Sequence, residues 1–232
     1  AGTYDLTIGA ATINVAGRDQ TAMTINGTVP GPVLRFKDGE DLVINVTNTL
    51  DADTSIHWHG LILPYQQDGV PTISFDGIKP GETFTYTFPI VQTGTYWYHS
   101  HSGFQEQTGL YGSIIIDPEN PDPQPFDREQ VIMLSDWSDE DPQHIYATLK
   151  KVSHYYNFNE RTVFDTLRDF REKGVRRTLK DRHMWNTMRM SERDLADVTG
   201  YTYTYLMNGQ SPNGNWTCQF NPGERIKLRF IN

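Results

Sequence analysis

A block near the start of the chain recurs near its end, and this repeat limits the fold more than any other feature. Early stands Met23-Thr-Ile-Asn26-Gly27-Thr-Val-Pro30, then Phe36-Lys-Asp-Gly39-Glu40-Asp-Leu42-Val-Ile44-Asn-Val46-Thr-Asn48. Late stands Tyr205-Leu-Met-Asn208-Gly209-Gln-Ser-Pro212, then Phe220-Asn-Pro-Gly223-Glu224-Arg-Ile226-Lys-Leu228-Arg-Phe230-Ile-Asn232. Asn-Gly, Pro, Phe, Gly-Glu, alternating apolar positions and a closing Asn recur in order. The second copy stops where the first is only about a third of the way through its β-unit. A half-built sandwich leaves an unpaired edge and an open core face, which soluble proteins avoid. The sequence is therefore expected to be a fragment of a longer chain, or to need a partner that supplies the rest.

Around the repeat, residues 1–137 read as β-structure. Runs such as 3–8, 42–47, 83–88 and 113–116 are rich in Thr, Val, Ile, Tyr and Phe. Turns are marked at Pro30-Gly31-Pro32, Asp38-Gly39-Glu40 and Pro80-Gly81-Glu82. Many short strands with regular turns predict a sandwich or barrel. A proline-rich connector over 118–125 leads into another strand at 130–134. From Pro142 the texture turns helical: Ile145, Leu149 and Val152, then Val163, Leu167 and Phe170, recur at helical spacing, ending at a Lys173-Gly174 C-cap. Ser191-Glu-Arg-Asp194 predicts a capping box opening a further short helix. The expected organisation is 1–137, a helical insertion over 138–198, and the opening of a second β-unit over 199–232.

Lys plus Arg number 20 against 29 for Asp plus Glu, a formal charge of -9. That balance argues against nucleic-acid or anionic-membrane partners, which need a basic face. No apolar run is long enough for a spanning helix, and the opening residues show no export signal. One cysteine, Cys218, excludes an intrachain disulfide and any multi-cysteine metal site.

The chemistry is in the histidines. Four of the seven form two His-x-His pairs, His57-Trp-His59 and His99-Ser-His101, and no other histidine precedes His144. Both pairs fall in strand-like segments, 54–63 and 94–101. In a strand, residues i and i+2 project from one face roughly 6–7 Å apart. Two such strands side by side would present four imidazoles to one pocket. Imidazole-only donors suit copper, zinc or nickel, with copper highest in the affinity series. A blue-copper centre needs Cys with two His, and Cys218 has no histidine near it in sequence; it reads as a lone thiol.

His57-Trp-His59-Gly60, Gln67-Asp68-Gly69-Val-Pro71 and Gly94-Thr-Tyr-Trp-Tyr-His99-Ser-His101 resemble the first two copper-binding motifs of the multicopper oxidases, the laccases and their relatives. More narrowly, Tyr98-His-Ser-His-Ser-Gly103-Phe-Gln-Glu-Gln107, Leu134-Ser-Asp136-Trp137, Tyr155-Tyr-Asn-Phe158 and Val198-Thr-Gly-Tyr-Thr-Tyr-Thr-Tyr-Leu-Met-Asn-Gly209 are similar to the bacterial copper-resistance A type, which is periplasmic. The resemblance implies a mainly β chain of cupredoxin-like Greek-key β-sandwiches, here one domain, a helical insertion and the start of a second cupredoxin domain. It implies a trinuclear copper cluster between the first and third domains, and a blue copper in the third. By position, His57 would bind the type 2 copper, His59 and His99 one copper of the type 3 pair, and His101 the other. Asp68 matches the family acid that feeds protons to oxygen. The implied partners are dioxygen, a Cu(I) or phenolic electron donor, and the remainder of the same chain; the implied location is the periplasm, with the signal peptide removed.

Two family motifs, His-x-x-His-x-His and His-Cys-His, appear nowhere in these 232 residues. They supply the other cluster ligands and the blue-copper site, so the chain alone is expected to be inactive. A non-catalytic copper-sequestering protein and a zinc-stabilised interaction module are the competing readings. His144, His154 and His183 have no partner one turn away and read as solvated. Met184, Met188 and Met190 could serve Cu(I) as soft ligands, but at helical spacing they read as core or gap filler. The glycosylation sequons at Asn26, Asn45 and Asn215 read as incidental.

Overall fold

The structure, a computed structural model, describes residues 2–120, 124–188 and 200–232. Among them the strands are β1 (Gly2–Val15), β2 (Arg18–Ile25), β3 (Leu34–Lys37), β4 (Asp41–Asn48), β5 (His57–His59), β6 (Thr83–Pro89), β7 (Gly94–His99), β8 (Tyr111–Asp117), β9 (Arg128–Trp137), β10 (Thr204–Met207) and β11 (Ile226–Ile231). The helices are α1 (Pro142–Lys151), α2 (Val163–Lys173) and α3 (Val175–Met188). The chain is mainly β and cupredoxin-like. It divides into two compact units: one runs to Trp137 and resumes at Tyr205, the other is Ser138–Thr204.

In the first unit a sheet of order β2-β1-β4-β6 faces a sheet of order β3-β8-β7-β5. Period-two alternation fills the space between them. On β4, Leu42, Ile44 and Val46 are buried, with exposed or half-buried residues between. From the facing sheet come Leu34, Phe36, Trp58, Tyr98, Ile114 and Ile116. Trp58 lies edge-on to Tyr86 at 5.1 Å between ring centres, in the middle of this core. Burying each such large apolar side chain contributes about 1.5–3 kcal/mol.

A third sheet, β10-β9-β11, repeats the arrangement of the first. Asn26 and Asn208 both take left-handed backbone, φ +54° and +50°, each followed by a glycine at +77°. Each asparagine then bonds a neighbouring strand in the same way. Asn26 accepts from the amide of Thr7 (2.7 Å) and donates to the carbonyl of Asp5 (3.2 Å). Asn208 accepts from the amide of Met133 (2.8 Å) and donates to the carbonyl of Val131 (3.0 Å). Asn and Gly are the residues that a two-residue hairpin turn with positive φ requires. Glu40 and Glu224 likewise each accept from the amide three residues before them. β1 pairs in parallel with β4, and β9 in parallel with β11. Met133 and Ile231 pack on Tyr111 of β8, while Leu228 and Phe230 on β11 are exposed.

In the second unit, Asp141 caps α1 through the amide of Gln143, with Pro142 in the first turn. Thr162 and Asp165 form a capping box on α2, and Gly174 (φ +78°) ends that helix. Arg161 pairs with Asp169, which is buried. Of the apolar positions expected on one face of α2, Val163 and Leu167 are exposed and Phe170 is half-buried. Met184 and Met188 on α3 are also exposed, which corrects the core assignment; the buried α3 side chains are Thr178 and Trp185. Met190 and the capping box expected at 191–194 lie outside the described residues. No described helix is long and apolar enough to cross a membrane.

Candidate metal centre

Strands β5 and β7 pair antiparallel with His57 opposite His99 and His59 opposite Trp97. This register places both imidazoles of the first pair and the first imidazole of the second on one face. Ring centres lie 5.5 Å apart for His57–His59, 5.3 Å for His57–His99 and 5.4 Å for His59–His99. Donor atoms of these three residues all lie within 4.8 Å of one another. His101 lies beyond the end of β7, a shorter strand than the sequence suggested. Its ring centre stands 5.8 Å from His57 and 6.2 Å from His99. Two strands thus bring four imidazoles together, three closely and the fourth at the margin.

The nitrogens of three rings are distinguishable. His57 Nδ1 is 2.8 Å from the carbonyl of Asp68 and 3.3 Å from its carboxylate, which leaves Nε2 of His57 free. His99 Nδ1 lies 2.9 Å from the carbonyl of Ser100 and 2.8 Å from Glu106 Oε2, which leaves Nε2. That atom stands 3.2 Å from His59 Nδ1. Two nitrogens each about 2.0–2.1 Å from one ion at a near-tetrahedral angle are about 3.3 Å apart, so the spacing of His59 and His99 suits a shared ion once the proton between them has left. Such ligands bind metal as neutral imidazoles. His59 is biased that way: burial lowers its pKa first, then the neighbouring His99 and His57. Glu106 is held below the usual carboxylate range by its hydrogen bond to His99.

The surroundings fix these rings. Trp97 stacks on His59 and on His99 at 5.0 and 4.2 Å between ring centres. Behind them is a polar network that the sequence reading did not single out. Gln105 Oε1 accepts from Thr54 and Ser100 hydroxyls (2.7 and 2.8 Å), and its amide donates to the carbonyl of Asp53. Ser55 bonds Ser102 and accepts from the amide of His101. Asn48, fully buried, donates to the carbonyls of Ala52 and Ile78 and so pins the segment entering β5. Buried polar groups unrelated to the histidine pattern carry no period, so only their position beside the pairs could have flagged them.

Asp68 reaches His57 because Gly69 (φ +73°) lets the loop lie against β5; a Cβ there would meet the carbonyl oxygen of Ile56 at 1.7 Å. Of the remaining candidates, His154 and His183 are exposed. His144 is exposed but does have a partner one turn away, Glu140, at 2.8 Å. Cys218 is a half-buried free thiol. Asn26 and Asn45 spend their side-chain amides on structural hydrogen bonds.

Residues 7–121 match the multicopper oxidase family profile. Copper resistance protein A of Escherichia coli is 58% identical over 99% of this chain, which covers 38% of that protein. The multicopper oxidase MmcO of Mycobacterium tuberculosis is 34% identical over 99% of the chain, covering 42% of its length. Among solved structures, a blue copper oxidase from Nitrosomonas europaea superposes with a TM-score of 0.68 at 28% identity, over 99% of this chain and 60% of that one. The chain therefore spans about two fifths of the length of the curated relatives it matches.

Proposed function

Because the chain belongs to the multicopper oxidase family, we propose that it contributes the first half of a copper cluster at which a longer protein reduces dioxygen to water. The observation that carries this reading is the 3.2 Å approach of His59 Nδ1 to His99 Nε2. Those two atoms would hold one type 3 copper, His57 Nε2 the type 2 copper, and His101 the other type 3 ion. Copper supplies one-electron redox steps when bound, and several such ions held together avoid releasing partly reduced oxygen.

The chain's own residues do the rest. The carbonyls of Asp68 and Ser100 orient His57 and His99, and Trp97 keeps both rings of its stack from rotating. The carboxylate of Asp68, beside His57 Nδ1, can pass protons toward the site. Relatives carrying the names copper resistance protein A, laccase and L-ascorbate oxidase favour an oxidase over a sequestering protein. For this protein we propose Cu(I) or a phenol as electron donor, the periplasm as location, and the remaining length of chain as the source of the other ligands. On the same premise, 1–137 is a first cupredoxin domain, 138–198 an insertion and 199–232 the opening of a second domain.

Two measurements test this. The full-length protein should consume oxygen with a Cu(I) or phenolic donor; copper binding with no oxygen uptake would overturn the oxidase reading. His99→Ala should lower copper occupancy, and unchanged occupancy would remove His99 from the ligand set.

A further inference from the structure

Glu106 stands behind His99, on the side away from the other imidazoles. Its Oε2 lies 2.8 Å from His99 Nδ1, while His99 Nε2 faces His59. The His99 side chain is 8% exposed and that of Glu106 48%. Its residue lines a cavity of about 400 Å³ together with Trp97, Tyr111 and Asp136. The carboxylate is therefore wet on one side and bonded to a buried imidazole on the other. Gln107, next in sequence, turns away to donate to Asp136 at 2.7 Å.

We propose that Glu106 is a positioning residue for the metal centre: it holds His99 as the Nδ1–H tautomer and aims Nε2 at the ion shared with His59. A metal-bound histidine commonly donates its other N–H to a carboxylate or carbonyl, which fixes the ring and makes the ligating nitrogen a better donor. His57 and His99 use that device differently. Both rings bond a main-chain carbonyl through Nδ1, but the nearby carboxylate stands 3.3 Å away at His57 and only 2.8 Å away at His99. A charge-assisted bond is roughly twice as strong as a neutral one. His99 is accordingly the stronger donor of the pair. The inference rests on the copper reading above, but half of it concerns the protein without metal.

The two halves are tested separately on the full-length protein. In metal-free protein, ¹⁵N-resolved NMR of His99 should show a protonated Nδ1 with a far-downfield proton, moving upfield in Glu106→Gln, where the acceptor stays and the charge is lost. An unmoved signal would overturn the proposal whatever the metal does. Titration with Cu(II) alone should then show affinity about 10–100-fold lower in Glu106→Ala, with Glu106→Gln in between and thermal melting close to wild type in both. If His59→Ala removes a copper equivalent while both Glu106 variants bind like wild type, Glu106 has no positioning role and the copper reading survives. If wild type binds no Cu(II), both fall together.

Discussion

Asp68 holds His57 mainly through its main chain: the carbonyl oxygen is 2.8 Å from Nδ1 and the nearer carboxylate oxygen 3.3 Å. The backbone thus does the orienting and leaves the carboxylate available for the proton transfer proposed for it. Asp68→Asn keeps the carbonyl and removes the acid. Copper occupancy of the full-length variant should stay within a few-fold of wild type. Its oxygen-reducing turnover should fall by about 10²-fold or more, the usual scale for a lost general acid. Metal analysis and oxygen uptake on one preparation separate the effects; parallel losses of copper and turnover would make Asp68 a structural residue.

His59 and His99 are expected to serve a single ion, since their facing nitrogens are already spaced for one. His59→Ala and His99→Ala should each remove the same copper equivalent, and the double variant should lose little more than either single one. Such non-additivity is the signature of residues acting as a unit. Two independent equivalents lost in the double variant would place the histidines on separate ions.

Gly69 should be intolerant of a side chain. At φ +73° a Cβ would sit 1.7 Å from the carbonyl oxygen of Ile56, so the loop must leave β5 and take Asp68 from His57. Gly69→Ala is expected to cost about 2–4 kcal/mol, combining left-handed strain with the clash, and to weaken Cu(II) binding. Gly81→Ala is the control, because its φ is +79° with open space around the Cβ. It should cost about 1 kcal/mol and leave binding unchanged. Equal effects in denaturation and copper titration would mean that the Gly69 approach is not needed.

The parts of this architecture with a period or a spacing were legible in the sequence. Alternation on β4 marked its buried face, and the Asn-Gly and Gly-Glu echoes proved to be the same turns with the same hydrogen bonds. The His-x-His spacing brought His57, His59 and His99 together because antiparallel pairing set His57 opposite His99. What was not legible depends on contacts between distant segments. Gln105 and Asn48 are single polar residues whose burial follows from loops closing over them. The exposure of Met184, Met188 and Leu167 follows from which side of α2 and α3 finds a neighbour, which helical spacing leaves open. His101 was placed in a strand by its pattern, yet β7 ends at His99, so its ring sits at the margin.

Asp117 should make stability acid-sensitive. The Arg35 guanidinium, hydrogen-bonded to it in two places, holds its carboxyl below the ordinary value. A depressed folded pKa adds stability that is complete above the unfolded value near pH 4 and is lost as pH falls through the folded one. The pair is substantially exposed, so the contribution is about 0.5–1 kcal/mol. Urea denaturation should show Asp117→Asn less stable by that amount at pH 7, with the gap closing as pH falls below the ordinary carboxylate value near 4. A gap that persists or widens in acid would reverse the assigned sign.

Glu129 ties β9 to two other strands. It accepts from Arg35 Nη1 on β3 and Arg229 Nε on β11, both at 2.6 Å, and Arg229 also donates to Thr95 on β7 at 2.7 Å. The Glu129 and Arg229 side chains are 10% and 8% exposed. Glu129→Ala leaves the buried guanidinium without its hydrogen-bonded counter-charge, and removing one member of a buried pair costs about 3–5 kcal/mol. Replacing both, Glu129→Met with Arg229→Met, removes the desolvation cost along with the attraction and should lie within about 1 kcal/mol of wild type. Arg35 keeps Asp117 in either background, so it does not become unpaired. Urea denaturation of Glu129→Met, Arg229→Met and the double gives the coupling directly. A double variant no more stable than Glu129→Ala would show that the ion pair, rather than the packing of its side chains, holds β9 and β11 in place.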